Sequence, residues 1–508
     1  MPEEQFHDFL GLKKLASQTP SAVALAAPGR KPLTYRALWD QVRAARNLFE
    51  RVGVRKGEVA ALAMPNGPEL ITAFLGISGI GAGAPLNPAL TENEFRSYLG
   101  RLGARILIIP DSTDSPAAAA ALSLGIDVLR IRSTPDDRAG VFSLEVPDET
   151  PPARSVRITD AALLIFTSAT TAAPKLVPLS RGNLRVIVGL QMESVHLSPA
   201  DRFLSVMPLF HHYGLVAGLA QLFAGGTVIS TPGFHPGSFL AWLDQFRPTW
   251  FSSIPPVNRS ILELARQHSE VFRRTPLRFV RSAGTPQNET LALLAKALGA
   301  PVLTGYGLTE TGVVTRSTPD ALKLGSVGRS MGLELAISDP LGNLLGAETE
   351  GEVILRGPSI TSGYLDDPEA NRAAFRNGWF RTGDLGRLDS EGFLFLTGRL
   401  KEMINRGGEK ILLQEVDEAL AGHPAVADAA VFALPHETLG EDVAAAVVLY
   451  GGATASELEL RRFAATRLAA FKVPRRIVFL ESLPRNVTGK PQRAVLSEQF
   501  SRGVKKSL

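Results

Sequence analysis

The chain has 508 residues, 45% hydrophobic and 20% charged, and its 54 Lys and Arg against 50 Asp and Glu give a formal net charge of +4. This composition excludes a disordered or fibrous chain, and the length predicts two or more domains. The small basic excess is spread along the chain, which argues against a nucleic-acid-binding protein. The absence of cysteine excludes disulfides, thiolate–zinc sites and a cysteine nucleophile.

No stretch of the sequence carries a clear targeting or membrane signal. The residues from Met1 to Asp8 are acidic and lack the basic-then-apolar order of a signal peptide. The final Lys506-Ser507-Leu508 differs in order from the peroxisomal Ser-Lys-Leu address. Residues 71–86 and 214–229 are apolar but short and interrupted by glycine, which favours burial in a core. We therefore expect a cytoplasmic protein without a membrane span.

Helical and strand patterns alternate through the first part of the chain. A helical pattern over residues 33–54 precedes a strand at 59–64, and a second helix over 69–77 precedes strands at 104–109 and 125–129. This alternation indicates βαβ units and a mainly parallel sheet covered on both faces.

A loop rich in hydroxyls follows the next apolar run. Ala161 to Phe166 predicts a buried strand, although its periodicity alone does not exclude a buried helix. The loop from Thr167 contains hydroxyls and small residues and is closed by Pro174 and Lys175. Hydroxyls, backbone N–H groups and one lysine suit a polyphosphate. An ordinary polar turn has a similar composition, so the two interpretations of this stretch alone are even.

The alternation continues and then changes character. A helix is predicted over 182–192, with strands at 201–207, 250–254 and 277–282, whereas residues 351–396 contain short strands and tight turns typical of a β-rich subdomain. After Gly398 to Lys401 a compact α+β pattern of about a hundred residues begins. We predict an α/β fold with a large N-terminal domain over residues 1–399, made of stacked α/β sheets plus the β-rich subdomain. A hinge joins it to a small, mobile α+β C-terminal domain over residues 400–508.

Three separate elements carry chemistry that a nucleotide requires. In Thr304 to Thr311 a tyrosine face can stack a base, a threonine can hold phosphate and a glutamate can hold Mg²⁺, although a strand-end turn has the same residues. Asp384 lies in a glycine turn and is suited to ribose hydroxyls, or to a plain Asx turn. Lys490 is a loop cation or a solvated surface lysine. Adjacent His211 and His212 favour packing or substrate contact over metal binding.

These elements, in this order, resemble the acyl-activating, adenylate-forming enzyme superfamily, which includes acyl-CoA synthetases, adenylation domains and firefly luciferase. The resemblance covers essentially the whole chain, and the look of the chain is nearest to small-acid, oxalate-like CoA ligases. Seven motifs match in order: residues 167–176, 208–211, 306–310, 382–384, 398–401, 406–411 and 484–490.

The resemblance implies a reaction in two halves. A carboxylate attacks the α-phosphate of ATP to give an acyl-adenylate and pyrophosphate, and a thiol, normally that of CoA, then takes the acyl group. Catalysis of this kind depends on positioning and charge neutralisation. In the second half the small domain would rotate about Lys401, which withdraws Lys490 and brings the loop of Gly407 and Gly408 to the active site.

The resemblance also assigns roles to residues. Catalytic roles are implied for Lys490, His211, Thr309 and Glu310, and Mg²⁺ would be bound by Glu310 and Thr167. The nucleotide and CoA are implied to contact Thr167, Ser168, Ala169, Thr170, Thr171, Lys175, Gly284, Tyr306, Gly307, Asp384, Arg399, Lys401 and Gly408. The acyl pocket is implied to include His212, Gly214, Ser282, Ala283, Gly305, Val313, Val314 and Met331.

Three positions depart from the family pattern: Ala169 and Leu176 stand where glycines are usual, and Leu413 replaces a proline. If position 169 requires a left-handed backbone, alanine there costs about 1 kcal/mol or more. The loop is then either a tolerated variant or one that weakens the ATP half-reaction.

The acyl substrate and the acceptor are less determined by the sequence. Gly312-Val313-Val314 stands where oxalate–CoA ligases carry a histidine, so we favour an apolar monocarboxylate over a diacid. The leading hypothesis is a small-acid–CoA ligase, monomeric or homodimeric, that uses ATP, Mg²⁺ and CoA. An amine or carrier-protein thiol as acceptor is one alternative, and a protein that binds ATP or acyl-AMP with weakened catalysis is another.

Overall fold

The computed structural model describes residue 8 and residues 10–111, 115–144, 160–167, 174–283, 288–400, 403–407, 409–486 and 489–501. Its contacts divide the chain into two compact units. The first unit contains nearly all of the chain up to Glu334, together with Arg356–Phe375 (the 356–375 segment), and the second contains Leu335–Leu355 and the chain from Arg376 onward.

The described helices alternate with strands along most of the chain, as the sequence pattern predicts. They are α1 (Leu12–Gln18), α2 (Tyr35–Arg51), α3 (Pro68–Ser78), α4 (Glu92–Leu102), α5 (Pro116–Ser123), α6 (Arg181–Ser194), α7 (His212–Phe223), α8 (Pro236–Phe246), α9 (Pro255–Gln267), α10 (Ser269–Arg274), α11 (Asn288–Leu298), α12 (Pro368–Ala374), α13 (Leu413–Ala421), α14 (Glu457–Ala465) and α15 (Arg493–Ser501), with one 3₁₀ turn at Ala470–Lys472.

The described strands form four sheets. They are β1 (Val23–Ala26), β2 (Leu33–Thr34), β3 (Val59–Leu62), β4 (Ala82–Pro85), β5 (Ile106–Pro110), β6 (Asp127–Arg132), β7 (Ser143–Leu144), β8 (Ala161–Phe166), β9 (Leu176–Ser180), β10 (Arg202–Ser205), β11 (Thr227–Ser230), β12 (Trp250–Ser253), β13 (Phe279–Ala283), β14 (Val302–Leu308), β15 (Gly312–Arg316), β16 (Arg329–Ser330), β17 (Glu334–Ser338), β18 (Gly351–Arg356), β19 (Phe375–Arg376), β20 (Trp379–Leu388), β21 (Leu394–Arg399), β22 (Met403–Arg406), β23 (Glu409–Leu412), β24 (Val426–His436), β25 (Gly440–Leu449) and β26 (Arg476–Phe479).

Two sheets make up the first unit. One has seven strands in the order β7-β6-β5-β3-β4-β8-β9, and the other has nine in the order β16-β15-β14-β13-β12-β10-β11-β1-β2. Their central strands are parallel, whereas β9 and β15 run antiparallel to their neighbours. The central strands are almost wholly buried, as is usual for parallel sheets covered by helices. The predicted α/β fold is confirmed.

The second unit contains two smaller sheets of five strands each. One joins β17, β18, β20, β19 and β21, and the other joins β23, β22, β25, β24 and β26. The second of these packs its core residues against α13 and α14. The predicted β-rich subdomain and small α+β C-terminal domain are therefore confirmed, while the exact boundary between residues 399 and 400 stays a prediction.

Polar caps determine where several helices begin. The hydroxyl of Thr34 accepts from Ala37 N at 3.3 Å, and Thr91 and Ser456 each form a reciprocal capping pair with a glutamate three residues on. Ser180, the last residue of β9, caps α6 in the same way with Asn183. A cap of this kind stabilises a helix by about 1 kcal/mol. The cap at Ser180 therefore fixes the turn from β9 into α6, directly after the loop predicted to hold phosphate.

Buried packing accounts for the apolar stretches at 71–86 and 214–229, because α3 and α7 have almost no exposed side chain. Among the residues that the structure describes, no helix has the length and apolar character needed to cross a membrane.

Candidate active site

The predicted phosphate loop connects the antiparallel strands β8 and β9, and its two ends are joined to each other. Thr167 N donates to Lys175 O at 2.9 Å, and Lys175 N donates to Thr167 Oγ1 at 3.0 Å. The neck of the loop is therefore closed by two hydrogen bonds, one of which uses the predicted hydroxyl. Ser168, Ala169, Thr170 and Thr171 lie outside the described residues.

Leu176, one of the departures from the family pattern, is a core residue in this structure. It pairs with Phe166 across β8 and β9, is 2% exposed and belongs to the hydrophobic core of the seven-stranded sheet. A leucine in an extended, buried strand position is well accommodated. The loss of glycine at this position therefore has a packing explanation.

A tyrosine that the sequence analysis did not identify connects two of the predicted phosphate-site residues. The Lys175 Nζ atom lies 4.1 Å from the centroid of the Tyr364 ring, and Tyr364 Oη donates to Glu310 Oε1 at 2.8 Å. Tyr364 and Glu310 are both buried. Burial, and then the neighbouring carboxylate of Glu310, raises the pKa of Tyr364, so the phenol stays protonated and acts as a donor.

The 356–375 segment holds this tyrosine in place. Tyr364 N donates to Asn371 Oδ1 at 2.6 Å, and Asn371 Nδ2 returns a bond to Tyr364 O at 2.8 Å. Thr361 N donates to Glu310 O at 2.8 Å, while Leu365 N donates to Leu176 O at 2.9 Å. The segment thus contacts both the end of the phosphate loop and the backbone of Glu310.

Tyr306, Gly307, Thr309 and Glu310 lie on β14 and in the turn that leads into β15. The two strands approach closely, because a Cβ at Gly307 would lie 2.3 Å from Gly312 O, and Gly312 has φ +70°. Thr311 Oγ1 accepts from Leu308 N at 3.3 Å and closes the turn. Tyr306 is buried and Thr309 is half-buried. The structure therefore places Thr309 and Glu310 in one tight turn between β14 and β15.

The two histidines lie at the start of α7. His211 precedes the first helical residue, and its ring centroid is 4.7 Å from that of Phe210. Burial, and to a smaller extent the charge of Arg281, lowers the pKa of His212 from 6.5 to about 4. His212 is therefore neutral at pH 7. Gly214 is required by close approach, since a Cβ there would lie 2.3 Å from Pro208 O.

The remaining described acyl-pocket candidates lie on β13 to β15 or directly after β16, and they do not all share a face. Ala283 pairs with Gly305, and Gly305 pairs with Arg316, so these three positions face the same side of the sheet. Ser282 faces the opposite side, where its hydroxyl accepts from Asn258 Nδ2 at 2.8 Å. Val313 and Val314 are buried on β15, and Met331 N donates to Val314 O at 2.8 Å. Gly284 lies outside the described residues.

In the second unit, Asp384 and Arg399 form a cross-strand ion pair. They are directly opposite on β20 and β21, and Arg399 Nε donates to Asp384 Oδ1 at 2.5 Å. Asp384 is 3% exposed, and its N–H donates to Thr382 Oγ1 at 3.0 Å. The two residues predicted to hold ribose are therefore fixed against each other.

Lys490 closes a small loop of the second unit, in which Asn486 N donates to Lys490 O and Lys490 N donates to Asn486 Oδ1, both at 2.9 Å. Its side chain is exposed. Leu413, where the family has proline, is the first residue of α13 and packs in the core, a position where proline is also favoured. Lys401 and Gly408 lie outside the described residues.

Comparison with known proteins gives a consistent result along the whole chain. Residues 12–365 match the model of the AMP-binding enzyme family, and residues 415–490 match that of the AMP-binding enzyme C-terminal domain. The chain is 37% identical over 504 residues to an oxalate–CoA ligase of Arabidopsis thaliana, with 96% of this chain and 98% of the relative covered. It is 35% identical to an oxalate–CoA ligase of Saccharomyces cerevisiae, with 92% and 93% covered. The ATP-bound structure of MatB from Rhodopseudomonas palustris superposes with a TM-score of 0.86 at 27% identity, with 97% and 99% covered.

Proposed function

This chain belongs to the AMP-binding enzyme family, and on that premise we infer its function. It is an AMP-forming acid–CoA ligase, which activates a carboxylic acid with ATP as an acyl-adenylate and transfers the acyl group to CoA. The roles of individual residues in this reaction are proposals, and they follow from the site geometry together with the family motifs.

The arrangement of Lys175, Tyr364 and Glu310 is the observation that carries the proposal. Lys175, the cation at the neck of the hydroxyl-rich loop, has its Nζ atom 4.1 Å from the centroid of the Tyr364 ring. The hydroxyl of the same tyrosine lies 2.8 Å from the buried carboxylate of Glu310. A polyphosphate requires a cation and many donors, and its counter-ion requires a carboxylate. We propose that Lys175 and the loop hydroxyls hold the β- and γ-phosphates of ATP, and that Tyr364 fixes the relative positions of the lysine and the glutamate.

The residues of this site fit Mg²⁺. Only one oxygen of the Glu310 carboxylate accepts a hydrogen bond within the described part of the chain, and the other is available for a cation. Mg²⁺ at nucleotide sites is usually bound by one or two carboxylates together with the substrate phosphates. Glu310 and Thr167 would hold the ion, which neutralises phosphate charge when bound.

Acid activation itself needs positioning rather than an enzyme nucleophile. The substrate carboxylate forms a bond to the α-phosphorus while the bond to the pyrophosphate oxygen breaks, so negative charge is redistributed over the phosphate oxygens. We propose that Thr309 contacts the α-phosphate from the β14–β15 turn and that Lys490 neutralises charge on the reacting oxygens. Tyr306 is assigned to the adenine, and the Asp384–Arg399 pair to the ribose. The CoA thiolate then attacks the acyl carbon, and AMP leaves.

The function is tested by measuring pyrophosphate release from ATP and Mg²⁺ over a panel of carboxylic acids, followed by thioester formation with CoA. We expect pyrophosphate release that depends on one class of acid, and one thioester for each AMP formed. Absence of release with every acid would overturn the proposed activity. Release without thioester, but with consumption of acyl-AMP by an amine or a holo-carrier protein, would overturn the assignment of CoA as acceptor.

A further inference from the structure

Two arginines of the nine-stranded sheet are buried without a counter-ion. Arg281 on β13 is 5% exposed and Arg316 on β15 is 3% exposed. Arg316 Nη2 donates to Gln191 Oε1 at 2.8 Å, but its Nε and Nη1 atoms and Arg281 Nη1 are enclosed and have no hydrogen-bond partner. In the part of the chain that the structure describes, no carboxylate forms an ion pair with either arginine.

The described neighbours of the two guanidinium groups, His212, Gln191 and Tyr213, carry no negative charge. The Nε2 atom of His212 and the Nε2 atom of Gln191 are also buried without partners. Arg281 lies 5.0 Å from the centroid of the Tyr213 ring, whose hydroxyl donates to the backbone oxygen of Arg281 at 3.2 Å. Burial lowers the pKa of Arg316, and the nearby charge of Arg281 lowers it further. A buried charge is costly unless it is paired, and two like charges side by side increase that cost.

The arginines lie on the sheet face that carries two of the predicted acyl-pocket residues, Ala283 and Gly305. Arg316 pairs with Gly305 across β14 and β15, and Arg281 lies two residues before Ala283, the partner of Gly305 on β13. Side chains at these positions share one face of the sheet. A Cβ built on Gly305 would meet only Thr315 O, at 3.1 Å, within 4 Å. Glycine at position 305 therefore lets β14 lie close to β15, and no side chain projects from this position on the face that carries the two arginines.

We infer that this enzyme activates an acid with a second anionic group, a carboxylate or a sulfonate, and that Arg281 and Arg316 bind that group. The inference rests on the proposed function, because it assigns the acyl substrate of the same reaction.

This inference reverses the sequence-based preference for an apolar monocarboxylate. That preference followed from the absence of a histidine in Gly312-Val313-Val314, but the cationic groups come from β13 and from the far end of β15. Gln191 of α6 orients Arg316 by accepting one of its five N–H groups, and the remaining donors of both arginines suit two oxygens of an anion.

The test compares matched pairs of acids with the full-length enzyme. Pyrophosphate release is measured with succinate against butanoate and with sulfoacetate against propanoate, which separates carboxylate from sulfonate recognition. We expect kcat/KM for at least one diacid to exceed that of its monoacid partner by about tenfold or more, since charge-assisted hydrogen bonds account for changes of that order. A wild-type preference for the monoacid in both pairs would overturn the anionic subsite while leaving the ligase activity established.

Substitutions then assign the preference to the arginines. Arg316→Met and Arg281→Met should each remove most of the diacid preference, retain activity with the monoacid and leave Tm unchanged or higher, because an unpaired buried charge is lost. Arg316→Lys should retain part of the preference. Arg266→Met, the same change at an exposed arginine of α9, is the control and should have no effect. Equal loss of both activities with a lower Tm would show that the arginines are structural and would overturn the inference.

Direct binding makes the test independent of turnover. Succinate, but not butanoate, should raise Tm of the wild-type protein, and this shift should be absent in Arg316→Met. Equal shifts in the two proteins would overturn the subsite. Failure of every acid to release pyrophosphate would instead overturn the proposed function, and the binding measurement would still decide whether the arginines hold an anion.

Discussion

Tyr364→Phe tests the connection between the lysine and the carboxylate of the phosphate site. The substitution removes one oxygen, which donates to Glu310 Oε1 at 2.8 Å, and keeps the ring 4.1 Å from Lys175 Nζ. The phenol stays protonated because its pKa is raised by burial and by Glu310, so wild type always offers this donor. The variant therefore loses the support of Glu310 while the packing of the ring is retained.

The expected loss follows from the charge of the acceptor. A hydrogen bond to a charged group contributes about 1.5–3 kcal/mol, which corresponds to roughly a 10- to 150-fold change in an equilibrium constant. Because Glu310 is proposed to bind Mg²⁺ with ATP, the loss should occur in kcat/KM for Mg²⁺–ATP, with little change in KM for the acid. The measurement is initial pyrophosphate release at varied Mg²⁺–ATP and saturating acid.

Two further variants separate the hydroxyl from the ring. Tyr364→Leu also removes the aromatic face beside Lys175, and the lost cation–π contact should lower kcat/KM by a further few-fold, since such contacts contribute about 0.5–2 kcal/mol. Tyr98→Phe removes a half-buried hydroxyl that has no hydrogen-bond partner among the described residues and should match wild type. Wild-type kinetics for Tyr364→Phe would refute the reasoning.

Three other predictions concern the half-reactions and pH. Lys490→Ala should abolish adenylate formation yet spare thioester formation from supplied acyl-AMP, and equal loss of both would contradict the role given to this lysine. Ala169→Gly should raise the steady-state rate of pyrophosphate release if alanine strains the loop, whereas an unchanged rate would identify a tolerated variant. The pKa of His212, lowered to about 4 by burial and Arg281, means that native His212 resists protonation. The free energy of unfolding should therefore decrease by as much as about 3 kcal/mol as pH falls from 6.5 to 4, and chemical denaturation of His212→Gln should show a smaller decrease. An identical pH dependence in the two proteins would contradict this assignment.

The fold follows from the sequence because buried strands and amphipathic helices leave strong periodic patterns. The predicted helix over 33–54 is observed as Tyr35–Arg51, and the predicted strand at 59–64 as Val59–Leu62. The ends differ because local polar contacts determine them, such as the Thr34 cap, and periodicity does not register such contacts. The predicted strand at 250–254 is likewise observed as Trp250–Ser253.

The site could be predicted only where it depends on contiguous motifs. Thr167 and Lys175, eight positions apart, close one loop, and the motif itself implies that they lie close together. The contact of Tyr364 with Glu310 joins residues 54 positions apart, and its strength depends on the path of the 356–375 segment. The proximity of Arg281 and Arg316 depends on strand register in the nine-stranded sheet. Such tertiary pairings leave no periodic signal in a single sequence.

The path of the 356–375 segment has a consequence for how the protein folds during its synthesis. The edge strand β9 and the turn at Glu310 receive backbone partners from Leu365 and Thr361, which are translated after Leu335–Leu355 of the other unit. Synthesis proceeds at roughly 5–20 residues per second, so this edge waits about 10–40 seconds on the ribosome for Leu365, which lies roughly 185 residues further along the chain. An unpaired strand edge invites association with other chains. Nascent chains that stall before residue 356 therefore leave this edge without its backbone partner from Leu365.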